Sequence, residues 1–215
     1  MDIVYYATRV VLPPLFARME VEGRENVPKG ACIFIANHET VWDAWKVVQA
    51  AGVWTPVHWV TGTCFFDPAA AGAKCFPHLP PFVQRCLGFL ASTLIRYSKA
   101  IPYQRVGDPP IRGRSMEETN RDTFKRVART LQAGESVGIF PEGRRSSLWV
   151  TSSFIRMALT AGVPVVPIKL PRKGEPNMVR IFPPLRYARM PREAIDREAE
   201  RVMIALTGRA VTVSR

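Results

Sequence analysis

Short apolar runs alternate with helix-forming segments along most of the chain. The runs that predict strands read ACIFIA, VHWV, AIPY, SVGIF, VPVVPIKL and MVRIF, and they begin at residues 31, 57, 100, 136, 163 and 178. Strands that alternate with helices predict an α/β domain whose sheet is largely parallel. With no internal repeat or low-complexity linker, residues 1–215 are expected to form a single domain with a mixed, mainly parallel sheet flanked by helices.

The clearest helix is predicted in the segment SMEETNRDTFKRVARTLQAGE. Ser115 and Glu118 have the spacing of a capping box, and Gly134 supplies the stop. A second helix is predicted over residues 153–161, closed by Gly162. The apolar positions that predict the inner face of the first helix follow the i, i+3, i+4, i+7 spacing: Phe124, Val127, Ala128 and Leu131.

Two segments depart from this alternation. Residues 1–20 are apolar and aromatic, are broken by Pro13 and Pro14, and suit a short amphipathic helix on the surface. Residues 54–94 are rich in Trp, Phe, Pro and Ala. This second segment either covers the core in the ordinary way or forms an apolar lip that meets a membrane or holds an apolar chain.

The charge of the chain narrows the choice of partner. A net charge of +12 and a pI near 10.1 imply an acidic partner, either nucleic acid or an anionic membrane surface. No zinc-finger spacing or Lys/Arg-rich run supports nucleic acid. No stretch reaches the roughly 18 uncharged apolar residues that span a bilayer, and Arg9 makes the N-terminus a poor signal peptide. We therefore expect a soluble or peripheral protein that meets an anionic membrane surface.

The four cysteines form no C-x-x-C pair. A zinc site made by Cys64, Cys75, His78 and Cys86 has gaps too loose for the known ligand spacings. Reduced thiols in a cytosolic protein, with no metal site, are the expectation.

A histidine and an aspartate stand five positions apart in NHETVWD, directly after the first apolar run. On an ideal helix His38 and Asp43 would lie about 140° apart, so they can meet only if the histidine precedes the regular helix. Such a pair suggests a base whose tautomer is fixed by a carboxylate. A purely structural pairing of the two side chains fits this spacing equally well.

A second cluster, FPEGRRS, follows the predicted strand SVGIF. It lies where that strand ends, and ligands bind at this edge of open α/β sheets. The cluster supplies a carboxylate, a glycine for an unusual turn and two guanidiniums, whose geometry suits a phosphate. Arg144 and Arg145 are equally compatible with solvated surface charge. A third candidate, Arg105, follows the run AIPY.

These three clusters, in their order along the chain, resemble the motifs of the glycerophospholipid acyltransferase family, which includes the lysophosphatidic acid acyltransferases. The segment VEGRENVPKGACIFIANHETVWD looks like the family's first block, with its Asn-His-x4-Asp signature at residues 37–43. Arg105 falls where the second block ends in an arginine, FPEGRRS resembles the third block, and VPVVPI matches the fourth. The similarity covers about residues 21–184 and implies a glycerol-3-phosphate acyltransferase-like fold.

The resemblance implies a chemistry for these residues. His38 would deprotonate an acceptor hydroxyl and Asp43 would align it, so that the hydroxyl attacks an acyl thioester without a covalent acyl-enzyme. The donor would be acyl-CoA or an acyl-carrier protein, a co-substrate rather than a cofactor. The acceptor would be a lysophospholipid such as 1-acylglycerol-3-phosphate, at the cytoplasmic face of a membrane. The residues that would hold its phosphate and glycerol portion are Arg105, Glu142, Gly143, Arg144 and Arg145.

The chain departs from the family pattern mainly around the acceptor. Thr40 replaces the usual serine but keeps a hydroxyl, whereas Arg144 stands where threonine is usual. The second block reads IPYQR, and residues 151–153 lack the basic residue and glycine of many relatives. The extra arginine suits a more acidic acceptor or a lyso-amino-acid lipid. A non-catalytic basic membrane-surface protein and a hydrolase that uses water at His38 remain alternative readings.

Overall fold

The structure is a computed structural model, and it describes residues 19–40, 42–53, 55–111, 113–143 and 149–213. Nearly all of the predicted N-terminal surface helix, together with Arg144 and Arg145, lies outside the described residues.

Over the described residues the chain forms nine strands and six α-helices. The strands are β1 Glu20–Glu22, β2 Ile33–Ala36, β3 Val57–Gly62, β4 Ile101–Tyr103, β5 Ser136–Ile139, β6 Trp149–Val150, β7 Val165–Lys169, β8 Met178–Ile181 and β9 Thr212–Val213. The helices are α1 Asp43–Ala51, α2 Pro68–Cys75, α3 Pro81–Tyr97, α4 Met116–Gln132, α5 Ser153–Ala161 and α6 Arg192–Thr207. Short 3-10 turns occur at Arg24–Asn26 and Thr63–Phe66.

Seven of these strands form one sheet in the order β1-β8-β7-β2-β5-β3-β4. Every pairing in it is parallel except β7 with β8, so β1 and β8 run against the other five strands. The central strand β2 is buried along its whole length, and apolar clusters cover both faces of the sheet. Parallel strands buried on two faces are uninterrupted apolar runs because neither face meets water. The predicted mixed, mainly parallel α/β fold is confirmed.

Helix α4 begins and ends where the sequence predicts. Ser115 and Glu118 form the capping box through reciprocal hydrogen bonds of 2.8 and 3.1 Å. After the helix, Gly134 adopts a left-handed φ of 82°. The predicted inner face was partly wrong, because Phe124 is 39% exposed. The buried residues of α4 recur every four positions: Thr119, Thr123, Val127 and Leu131. The two threonines tolerate burial because their hydroxyls donate to backbone carbonyls one helical turn earlier.

The excursion at residues 54–94 contains strand β3 and then most of a helical hairpin, α2 and α3. Gly72 and Gly88 let the two helices approach with backbone against backbone. A Cβ at Gly88 would collide with the Pro68 carbonyl oxygen and with Gly72, and a Cβ at Gly72 would collide with the Gln84 carbonyl. The close approach therefore depends on hydrogen in place of a side chain at both crossings.

No helix among the described residues combines the length and apolar character needed to cross a bilayer.

The helical hairpin yields a first prediction. Gly88→Ala should lower the free energy of unfolding by about 1–3 kcal/mol, because the added methyl group meets rigid backbone. Gly30→Ala is the control, since a Cβ there meets nothing within 4 Å. Chemical denaturation of both variants checks this, and equal stability of the two would contradict the proposed packing.

Candidate active site

The residues of the sequence motifs meet at the carboxyl-terminal edge of the sheet. Asn37 and His38 follow β2, Phe140 and Glu142 follow β5, and Arg105 follows β4. These strands are parallel neighbours or near neighbours, so their carboxyl ends open on the same side. Motifs far apart in the chain are brought together in this way.

His38 and Asp43 are hydrogen-bonded, with Nδ1 3.0 Å from Oδ2. His38 lies in the loop after β2, while Asp43 is the first residue of α1. The predicted geometry, with the histidine placed before the regular helix, is confirmed. Only this placement lets side chains five positions apart face each other.

The Asp43 carboxylate organises the whole turn that carries His38. Its Oδ2 also accepts the backbone N–H groups of Glu39 and Thr40, at 2.5 and 2.6 Å. Its Oδ1 accepts the Thr40 hydroxyl at 2.6 Å and lies 3.6 Å from Lys46 Nζ. The Thr40 hydroxyl, a group that the family's usual serine would also supply, therefore helps to hold this turn.

Asp43 is fully buried but remains a carboxylate. Burial by itself would raise its pKa, but the hydrogen bonds from His38, Thr40 and Glu39 outweigh that effect and lower the pKa below the ordinary value. An ionised acceptor at Oδ2 requires the proton on Nδ1 of a neutral His38 ring. The other ring nitrogen, Nε2, is then the basic one.

Aromatic stacking fixes the plane of the imidazole. The His38 ring stacks on Phe140 with centroids 4.3 Å apart, and Phe140 stacks on Trp59 at 4.8 Å, both at 16°. Gly138 makes room for this column, because a Cβ there would lie 2.6 Å from the Trp59 ring. The histidine is thus held by a carboxylate at one nitrogen and by an aromatic face.

Two buried polar side chains fix the backbone on either side of this ring. Asn37 donates to the Leu170 carbonyl at 3.1 Å and accepts the Leu170 N–H at 2.7 Å, which ties the end of β2 to the end of β7. Glu142 Oε1 accepts the His38 backbone N–H at 3.3 Å. Burial raises the pKa of Glu142 to about 7, with the nearby Glu39 charge adding to the effect.

His38 forms part of the wall of a cavity of about 240 Å³. Arg105 and Gly143 line the same cavity, but Glu142 does not. Gly143 has a φ of 63°, the left-handed turn expected of this glycine. The remaining wall is mainly apolar and includes Trp59, Val60, Phe65, Ile95, Ile139 and Met157.

Arg105 belongs to a charged cluster beside the cavity. Its Nε lies 3.6 Å from Asp108 Oδ2, and Lys74 Nζ lies 3.5 Å from Asp108 Oδ1. Gly62 leaves the space that the guanidinium occupies, since a Cβ there would come within 2.5 Å of Arg105 Nη2. Two cations share one buried carboxylate, so the cluster keeps a net positive charge next to His38.

Sequence reasoning missed Asp108, Lys74 and the aromatic column. Asp108 carried a usable signal, an acid three residues after the motif arginine. No local sequence signal marked Lys74 or Trp59, because they lie on α2 and β3, away from the motifs in the chain. The described residues contain no group of three or more His, Cys, Asp or Glu side chains arranged to hold a metal ion.

The raised pKa of Glu142 yields a second prediction. The folded state binds this proton more tightly than the unfolded state, so the stabilisation is complete below the ordinary pKa of 4.5 and is lost as the pH rises through about 7. Between pH 5 and 8 the free energy of unfolding of the wild type should therefore fall relative to that of Glu142→Gln. Denaturant titrations of both proteins across this range check it, and parallel pH profiles would contradict it.

The known proteins that this chain resembles are acyltransferases. Residues 83–170 match the family model described as Acyltransferase. The 1-acyl-sn-glycerol-3-phosphate acyltransferase of Pseudomonas aeruginosa is 26% identical over 167 residues, covering 76% of this chain and 52% of that protein. The chain thus spans about half the length of this curated relative.

The fold is also found among solved structures. The 1-acyl-sn-glycerophosphate (LPA) acyltransferase PlsC from Thermotoga maritima matches with a TM-score of 0.54 and 18% identity, covering 96% of this chain and 79% of that one. The family-model match includes Arg105 and Gly143, while His38 and Asp43 precede it. The family model and the curated relative confirm the resemblance that the motifs indicate, and the solved structure shows that the fold is shared.

Proposed function

We propose that this protein transfers a fatty acyl group from a thioester to the hydroxyl of a lysophospholipid such as 1-acylglycerol-3-phosphate. The observation that carries the proposal is the 3.0 Å contact between His38 Nδ1 and the buried Asp43 carboxylate at the wall of a mainly apolar cavity. The activity named for the Pseudomonas aeruginosa relative supports the substrate class.

The reaction needs one base that can later return its proton. With Nδ1 donating to Asp43, His38 Nε2 removes the proton of the acceptor hydroxyl as that oxygen attacks the thioester carbonyl. A carbon–oxygen bond forms, the carbon–sulfur bond breaks, and the departing thiolate takes the proton from the imidazolium. Asp43 stabilises the transient imidazolium through its negative charge.

Direct transfer fits the side chains around the cavity better than a covalent intermediate does. No cysteine lines the cavity among the described residues, and the chain has no Gly-x-Ser-x-Gly nucleophile elbow. Burial raises the pKa of the Cys32 thiol to about 11 and also raises that of Cys64. Both thiols are therefore held in their poorly nucleophilic form.

The acceptor's phosphate is assigned to the basic side of the cavity. Arg105 and Gly143 line it, and Arg144 and Arg145 continue the same motif outside the described residues. Glu142 does not line the cavity, and its contribution is to fix the His38 backbone by accepting the His38 N–H. A guanidinium beside the cavity favours an anionic head group through charge-assisted hydrogen bonds.

The positive charge of the chain supports the proposed donors and membrane setting. Acyl-CoA and acyl-carrier protein are both acidic co-substrates, and an anionic membrane surface supplies the lysophospholipid. A net charge of +12 attracts all three. We place the protein at the cytoplasmic face of a membrane, bound peripherally.

His38→Ala tests the role of the base. Transfer to the lysophospholipid should fall by about a hundredfold or more, because the acceptor hydroxyl loses its proton acceptor. Mass spectrometry of the acyl group, offered on both donor types, is the measurement. Near-normal turnover in the variant would overturn the role of His38, and an acyl group released as free acid by the wild type would identify a hydrolase.

Arg105→Ala tests the phosphate site. The preference for a phosphorylated over a neutral acceptor should drop by about tenfold or more, because a charge-assisted contact is lost. Arg121→Ala removes an exposed arginine on α4 and serves as the control. Unchanged preference in Arg105→Ala would refute the assignment.

A further inference from the structure

Helix α3 has an apolar face that is exposed in the described part of the chain. Six large apolar side chains on it are between 37% and 77% exposed, and we refer to them as the α3 stripe: Phe82, Val83, Phe89, Leu90, Leu94 and Tyr97. Half of the exposed large apolar residues in the described part of the chain belong to this one helix. Such a concentration marks an interaction surface rather than scattered surface hydrophobes.

The side chains of the α3 stripe lie next to one another on one side of the helix. At 3.6 residues per turn its members fall within an arc of about 140°. The exposed side chains of Arg85 and Arg96 lie along one border of the arc. Gly88 and Ser92 lie on the opposite side and are buried, and Gly88 packs against α2. One face of α3 is therefore fixed to the domain while the other meets solvent.

The segment that carries the stripe contains cations but no acid, and Asp108 and Glu135 from outside it pair with Lys74, Arg105 and Lys99. Residues 68–107 contain no Asp or Glu, although the whole chain has 18 of them. The cations of this segment are Lys74, Arg85, Arg96, Lys99 and Arg105. An apolar face bordered by cations and free of acids is the pattern of helices that lie in the interface of an anionic bilayer.

The same helix also borders the cavity. Ile95 on α3 and Ser98 just beyond it line the cavity wall together with His38. At about 100° per residue, Ile95 lies on the side of α3 opposite the stripe, so the inner face of the helix contributes to the cavity wall while its outer face carries the stripe.

We propose that the α3 stripe docks onto an anionic lipid bilayer, with α3 lying in the plane of the interface and its cationic border against the head groups. This goes beyond the general membrane association in the proposed function, and its purpose, delivery of a membrane-borne acceptor, rests on that function. Aromatic and aliphatic side chains enter the acyl boundary, and Arg85 and Arg96 pair with lipid phosphates.

Co-sedimentation with vesicles tests the docking directly. The full chain should bind phosphatidylglycerol-containing vesicles, and Phe89→Gln/Leu90→Gln should bind at least about tenfold more weakly, since two apolar anchors are lost. The control is Phe124→Gln/Ile204→Gln, which removes two exposed apolar side chains from α4 and α6. Equal binding by both double variants, or loss in both, would overturn the proposal.

The native thiol of Cys86 reports on the stripe without disturbing it. Cys86 is exposed on α3, whereas Cys32 and Cys64 are buried. Modification by a water-soluble maleimide, read at Cys86 by peptide mass spectrometry, should slow about fivefold or more when vesicles are added. In the control variant Arg197→Cys, the new thiol at an exposed position of α6 should react at the same rate with and without vesicles.

If another part of the chain or a second copy covers the stripe, Cys86 modification will follow a different pattern. If residues 1–18 cover it, Cys86 should already be protected without vesicles and should stay unchanged on their addition. If a second copy covers it, Cys86 protection should depend on protein concentration, and Phe89→Gln/Leu90→Gln should abolish a dimer seen by sedimentation velocity. Either result overturns membrane docking by this face.

A soluble acceptor separates docking from catalysis. On a short-chain lysophosphatidate below its micelle concentration, Phe89→Gln/Leu90→Gln should turn over within about twofold of the wild type, while on vesicles it should lose tenfold or more. Failure of the wild type to transfer acyl groups to any acceptor would sink the proposed function, yet vesicle binding and Cys86 protection would still decide the docking.

Discussion

The site depends on one buried carboxylate. Asp43 is fully buried and yet lies at a helix start where two backbone N–H groups, a hydroxyl and an imidazole all donate to it. A buried anion with this many donors stays ionised, because unmaking the bonds would cost more than burial does. Its ionisation fixes the tautomer of His38, with the proton on Nδ1 and the lone pair on Nε2. The surrounding loop can take only the shape that these bonds allow.

The sheet supplies the second constraint. Asn37 ties β2 to the end of β7, and Glu142 reaches from the end of β5 to the His38 backbone. Both bonds cross between strands that are adjacent in the sheet, so strand order converts distant segments into neighbours. The aromatic column of His38, Phe140 and Trp59 adds rigidity without adding polar groups, which keeps the cavity wall mainly apolar. An imidazole beside an apolar wall suits the proposed acyl transfer.

One segment of the chain supplies both positive charge and exposed apolar surface. The segment that carries α2 and α3 has five cations and no acid, and it contributes both the exposed stripe and part of the cavity wall. Asp108 follows just after it and balances only part of the charge of Arg105 and Lys74. A lipid with an anionic head group and an apolar tail is complementary to this combination.

The amino-acid sequence by itself determined the fold class, most strands, the helix that Ser115 caps and the helix that Gly162 ends. These features depend on apolar runs, a capping side chain and C-terminal glycines, each of which acts on residues close to it in the chain. The spacing of His38 and Asp43 also dictated that the histidine must precede its helix. Tertiary structure alone decided that Thr119 and Thr123 replace Phe124 on the buried face of α4. It alone brought Trp59 and Lys74 to the site, and among the described residues it left one face of α3 exposed. Local patterns record which residues prefer burial, whereas contacts between distant segments depend on strand order and on close approaches such as that of Gly72 and Gly88, which no local pattern contains.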